Sequence, residues 1–161
     1  TTKKIIELAT QANCPVIIDP KGDDYSKYKN ATYITPNFNE FCEATQKKHT
    51  SESSIQTSGK KLLTKLNIQQ LILTRSEKGI TLINNSDILN LPTKAKEVFD
   101  ITGAGDTVIA CIALGLSLGL SVSHAAQLAN IAAGIVVSKL GTATLSIEEL
   151  INAIKNEPIS N

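Results

Sequence analysis

Apolar positions along this chain fall on two different periods. In residues 2–12, Ile5, Ile6, Leu8, Ala9 and Ala12 recur at helical spacing, and Pro15 stops the pattern soon after Asn13. Val16, Ile17 and Ile18 form a wholly apolar run closed by Asp19-Pro20, the pattern of a strand buried in a parallel sheet. A second strand is predicted over 32–35, ended by Pro36, with Tyr25 and Tyr28 on a short helical turn between the two. Helices follow over 40–45 and, amphipathic with a Ser-rich start, over 51–66. Strands are predicted over 71–74, 80–83 and 88–91, the last two joined by a turn at Asn84-Asn85. Two apolar helices, 105–118 and 122–139, and an amphipathic one, 147–154, complete the pattern. Strand and helix alternate first and helices come alone afterwards. That order predicts an α/β fold with three layers, a mainly parallel sheet with helices on both faces and a late antiparallel hairpin.

Composition narrows the function more than the fold. A chain of 161 residues is one domain's length and buries about two thirds of its unfolded surface, so residues 1–161 are read as a single domain. The net charge of +1 leaves no electrostatic footprint for nucleic acid or an acidic membrane, and Lys47-Lys48 and Lys60-Lys61 read as solvated helix faces. A small-molecule partner is expected. Three scattered cysteines and two histidines indicate neither a disulfide framework nor a zinc site and fit a reducing cytoplasm. Residues 107–138 hold no Lys, Arg, Asp or Glu, but Gly115, Ser117, Gly119, Ser121, Ser123 and His124 divide them into two pieces sized for core helices rather than for a bilayer. No signal-peptide pattern opens the chain. It begins at Thr1 and contains no Met, from which we expect that its natural start lies further upstream.

The chemistry concentrates in three stretches. Asp100-Ile-Thr-Gly-Ala-Gly-Asp106 stands directly before an uncharged helix, where free backbone N–H groups and the helix field favour an anion and a carboxylate can take a proton from whatever the anion site positions. The purely structural alternative has Thr102 capping the helix, the glycines allowing tight packing and Asp106 complementing the dipole. Asn37-Phe-Asn-Glu40 follows a strand and carries a capping-box spacing. The same spacing presents an amide and a carboxylate suited to hydrated magnesium. Thr74-Arg-Ser-Glu-Lys-Gly79 leaves the third strand, and the fold rule for open α/β sheets puts strand ends of this kind on one ligand-binding edge. An acceptor-side base, a nest of N–H groups and metal ligands are the parts phosphoryl transfer needs. The P-loop, protein-kinase and dinucleotide patterns are absent. Lys21, just past the first strand, reads equally as a contact to a sugar phosphate or as a solvated loop lysine; His124 and Cys111 read as structural.

With these residues in view, the chain resembles the ribokinase, or PfkB, family of sugar kinases. The stretch 100–106 is similar to the family's second signature, which implies that Asp106 is the catalytic base and that the amides of Gly103, Ala104 and Gly105 form the anion hole. Asn37 to Glu40 matches its N-x-x-E motif for magnesium and phosphate. Asn130-Ile-Ala-Ala133 resembles its adenine-side segment, and Asp100, Thr102 and the Gly141 neighbourhood resemble its monovalent-cation loop. In the ATP loop the resemblance carries over Thr74 and Gly79, whereas Ser76 replaces a glycine. Asp19-Pro-Lys-Gly22, Tyr33-Ile-Thr-Pro-Asn37 and the Thr-Arg-Ser-Glu variant are most similar to bacterial kinases of D-glycero-β-D-manno-heptose 7-phosphate. These make the 1,7-bisphosphate toward ADP-heptose for lipopolysaccharide, often as one half of a bifunctional kinase/adenylyltransferase. The resemblance implies ATP, Mg2+ and K+ as cofactors, a sugar-phosphate acceptor and a homodimer in the intact protein. It also implies that these residues are the carboxyl-terminal portion of a kinase domain whose amino-terminal half holds most of the sugar. Another sugar or nucleoside acceptor, or an inactive nucleotide-binding fragment, are the competing expectations.

Overall fold

The first three predicted strands pair in parallel, as a mainly parallel sheet requires. In the computed structural model, which describes residues 1–156 apart from 94, 96, 97 and 142, β1 (Ile17–Ile18) pairs parallel with β2 (Tyr33–Ile34), and β2 pairs parallel with β3 (Gln70–Thr74). β4 (Ile80–Ile83) and β5 (Ile88–Leu91) complete one sheet in the order β1-β2-β3-β4-β5. Residues 75–79 and 84–87 are far too short for the crossover that a parallel pair needs, so β3, β4 and β5 meander antiparallel. Asn84 N–H donates to Asp87 O at 3.1 Å in the expected turn.

The chain divides into two compact units, Thr1–Arg75 with Thr81–Asn90, and Ser76–Ile80 with Leu91–Asn161. In the first, α1 (Thr2–Gln11), α2 (Phe38–Thr45) and α3 (Glu52–Leu66) contribute Ile6, Phe41, Ile55 and Leu63 to a core shared with Ile34, Leu71, Leu73 and Ile83, all of them at most 2% exposed. Gly59 on α3 belongs to that packing, since a Cβ there would stand 2.8 Å from Ile83 Cδ1. The parallel ladder continues past the strands. Thr35 N–H donates to Ile18 O at 2.8 Å, Thr74 N–H donates to Pro36 O at 3.1 Å, and Asn37 bridges Thr74. The ends of β2 and β3 therefore lie side by side.

The second unit explains the uncharged stretch. α4 (Ala104–Ser117) and α5 (Val122–Val137) pack on each other through small residues, with Ala125, Ala126, Ala129 and Ala132 fully buried. A Cβ at Gly115 would lie 2.9 Å from that of Ala125, so close approach rather than lipid accounts for the composition. Among the described residues no helix is long and apolar enough to cross a membrane. α6 (Ile147–Asn156) packs on α5.

Candidate active site

In the first unit, Asn37 is the N-cap of α2, at the carboxyl end of β2. Its Oδ1 accepts the Glu40 N–H at 2.9 Å, and the Asn37 N–H donates to Glu40 Oε2 at 2.8 Å, so the capping box is fully formed. The other Glu40 oxygen accepts from Lys21 Nζ at 2.8 Å, and that ammonium also lies 3.2 Å from Asp19 Oδ2. Hydrogen bonding to Glu40, and behind it Asp19, holds the Lys21 ammonium above its ordinary range. Tyr25 Oη donates to the Glu40 carbonyl at 3.2 Å and fixes the helix start from below; burial, with the nearby negative charge of Glu40, pushes that hydroxyl upward.

The capping geometry uses one side-chain oxygen of each residue, Asn37 Oδ1 and Glu40 Oε2, and Lys21 meets the remaining Glu40 oxygen. What the arrangement leaves for a metal is a pair of carboxylates, Asp19 and Glu40, converging on one cation. Hard oxygen donors of this kind suit a magnesium ion that keeps its waters, with the carboxylates reached through them.

At the end of β3, Thr74 is held by the Pro36 carbonyl. The position where the resemblance expects a glycine is Ser76, and it adopts φ +49, the left-handed conformation that glycine would favour. Ser76 thus holds a backbone conformation open to glycine although it carries a side chain. Gly79 is confined differently. It has φ +78, its N–H donates to Ser76 O at 2.9 Å, and a Cβ would overlap Leu91 O, Pro92 C and Thr93 N. Asn130, 6% exposed on α5, donates from Nδ2 to the carbonyl of Pro92 at 2.6 Å. Gly79 and Asn130 therefore meet the same short segment, Leu91 to Thr93, and Ala133 lies one turn beyond Asn130, half-buried.

The second unit carries the stretch 100–106. Thr102 does not cap the helix. Its N–H donates to Asp100 Oδ1 at 2.8 Å, so that turn consumes it, and the N-cap is Gly103 at φ +81. The helix starts one residue earlier than expected, at Ala104, without a side-chain cap. Ala104 N–H turns back to Ile101 O at 3.2 Å. Gly105 faces open space, a Cβ there meeting nothing within 4 Å, which removes tight packing as the reason for that glycine. Asp106 is the third helical residue and is exposed. The hydroxyl and amide of Thr102 hold the Asp100 carboxyl below its usual range. A carboxylate kept ionised in this way suits a monovalent cation, though of the resembling loop near Gly141, Thr142 lies outside the described residues.

Arg75 was invisible as a functional residue. Its guanidinium pairs with Glu52 of α3 at 2.7 Å. A charge directly behind the buried run Leu71–Leu73 was the available signal.

The chain thus carries an uncapped helix start beside an exposed Asp106, a capping box at the end of β2 and a left-handed turn after β3. The chain belongs to the pfkB family of carbohydrate kinases, whose profile matches residues 1–150. It is 55% identical over 153 residues to the bifunctional protein HldE of Pasteurella multocida, covering 94% of this chain and 32% of that protein. Over 157 residues it is 52% identical to HldE of Haemophilus influenzae strain PittEE, covering 97% and 33%. The chain thus spans about a third of the length of the curated relatives it matches. Among solved structures, ribokinase from Thermotoga maritima superposes with a TM-score of 0.81 at 27% identity, over 94% of this chain and 52% of that one. Arabidopsis thaliana ribokinase, complexed with ribose and ATP, superposes at 0.87 and 23% identity, over 96% and 52%. The three-layer α/β fold expected from the strand order is therefore the ribokinase-like one.

Proposed function

We propose that this chain is the carboxyl-terminal, nucleotide-binding and catalytic portion of a kinase domain that uses ATP to phosphorylate D-glycero-β-D-manno-heptose 7-phosphate at its anomeric hydroxyl, giving the 1,7-bisphosphate. The observation that carries the reading is the start of α4, where an exposed Asp106 follows a left-handed Gly103 with no side chain closing the helix. The acceptor is argued from the resemblance of Asp19-Pro-Lys-Gly22, Tyr33-Ile-Thr-Pro-Asn37 and Thr74-Arg-Ser-Glu77 to kinases of that heptose phosphate.

In this reading Asp106 accepts the proton of the anomeric hydroxyl as its oxygen attacks the γ-phosphorus of ATP, and ADP leaves. The backbone N–H groups at Gly103 and Gly105, with the positive end of the helix dipole, stabilise the charge on the transferred group, while Ala104, whose own N–H is held by Ile101 O, closes the turn between them. Thr74, Ser76 and Gly79 shape the nucleotide loop, while Asn130 and Ala133 border the adenine side. Lys21 contributes positive charge for a phosphate once its carboxylate partners are otherwise engaged. Asp19 and Glu40, through Glu40's place in the capping box with Asn37, would hold hydrated magnesium, which would neutralise the nucleotide's β- and γ-oxygens. Asp100 and Thr102 would border a potassium ion.

Glu40→Gln separates a metal role from a capping role. Glutamine keeps an oxygen for the Asn37 N–H, so helix stability should change by well under about 1 kcal/mol. The magnesium concentration for half-maximal activity of the intact protein should rise roughly tenfold, the scale of a lost charge-assisted contact. An unchanged magnesium dependence would leave Glu40 with capping alone.

A further inference from the structure

Arg75 stands immediately past β3 with its side chain 6% exposed. Nη1 and Nη2 donate to Glu52 Oε2 and Oε1, each at 2.7 Å, a planar two-point pairing. Nη1 also donates to Thr81 Oγ1 at 3.2 Å, and that hydroxyl donates to Asn90 Oδ1 at 2.7 Å. The guanidinium carbon lies 5.9 Å from the centre of the Phe38 ring. One side chain therefore joins the first turn of α3, β4 and the first residue of α2, and reaches β5 through Thr81.

Stability is a poor reason for this arrangement. The guanidinium is buried, but its carboxylate partner is more than half exposed, and an ion pair open to water on one side contributes little. Here, too, Arg75 Nε is buried without a hydrogen-bond partner among the described residues, a further cost. Registration of neighbouring elements is the better-attested use of such groups. Thr74, the preceding residue, pairs with Asn37, and Phe38 beneath the guanidinium follows Asn37. The next residue, Ser76, holds a left-handed φ of +49 despite carrying a Cβ, a conformation that persists only where its surroundings over-determine it.

We propose that the Arg75–Glu52 pair is a positioning device for the nucleotide loop. Glu52 fixes the guanidinium, and the guanidinium fixes the exit of β3, at Thr74 and Arg75, against the start of α2, so that the chain leaves β3 for the left-handed turn at Ser76 from a fixed point. Neither side chain touches the reacting groups. The inference rests on the kinase reading above for the identity of the ligand.

Glu52→Gln in the intact protein is the test, because the Glu52 side chain is 55% exposed and its loss leaves the core intact. The KM for ATP and the Kd of a fluorescent ATP analogue should both rise roughly tenfold, with kcat within about twofold and the KM for the sugar phosphate unchanged, as expected when one charge-assisted contact positions a binding loop. Arg75→Lys, which cannot make the two-point pairing, should move the same two constants in the same direction. A wild-type analogue Kd in both variants, with only the melting temperature lowered, would overturn the proposal and leave the kinase reading untouched. A wild-type protein that binds the analogue but phosphorylates no sugar would overturn the kinase reading, while the shift in Kd would still uphold the positioning role. Failure of the wild-type protein to bind the analogue would overturn both.

Discussion

Asp106→Asn in the intact protein should lower kcat by about 10²–10⁴-fold, the contribution of a well-placed general base, and leave the Kd for ATP within about twofold of wild type. Asparagine has the shape of aspartate but cannot take the proton of the attacking hydroxyl. The substitution is also structurally mild. Asp106 is exposed in the first turn of α4, so the fold loses only its interaction with the helix dipole, about 0.3–1 kcal/mol. Steady-state kinetics beside a thermal melt separate the two effects. Turnover near that of wild type would remove Asp106 from the chemistry and return it to the helix-dipole role that its position alone allows.

Gly79→Ala should be the most destabilising single change in the nucleotide loop, costing about 3–5 kcal/mol. Two terms add. The residue sits at φ +78, where a side chain is strained, and its Cβ would overlap Leu91 O while standing 2.7 Å from Pro92 C and 2.6 Å from Thr93 N. All three are backbone atoms, which cannot rotate away, and the Pro92 carbonyl is further held by Asn130. Gly105→Ala is the matched control. Its Cβ meets open space, and alanine in a helix is favoured over glycine by about 0.5–1 kcal/mol, so stability should hold or rise. Denaturant unfolding of the two variants should differ in opposite directions from wild type; a Gly79→Ala midpoint equal to wild type would mean that the segment after β5 yields.

The residues that were legible from sequence are those whose partners are close along the chain. Asn37 and Glu40 are three apart, and one turn of helix brings them together regardless of tertiary context. β1 and the centre of β3 announced themselves because strands covered on both faces are apolar, β2 because Pro36 closes a short β-branched and aromatic run, and the long uncharged stretch because two helices share a small-residue contact. The start of α4 was legible in outline but not in detail. Thr102 looks like a cap, yet the Asp100 carboxylate two residues earlier captures its amide, and the left-handed Gly103 takes the cap position instead. Contacts across long separations had no local pattern to read. Arg75 finds Glu52 over 23 residues, Lys21 finds Glu40 over 19, and Asn130 finds Pro92 over 38. In each case the fold, rather than any periodicity, sets the pairing. The substitution of Ser76 for a family glycine was visible; that Ser76 would itself be left-handed was not.

The most direct measurement is phosphorus NMR of the product formed by the intact protein from ATP and D-glycero-β-D-manno-heptose 7-phosphate, run beside ribose, fructose 6-phosphate and adenosine as acceptors. The account predicts a new phosphate on the anomeric carbon of the heptose, formed with ADP in equal amount and abolished in the Asp106→Asn variant. Transfer to another acceptor in preference to the heptose would contradict the substrate, and product formation that survives Asp106→Asn would contradict the site.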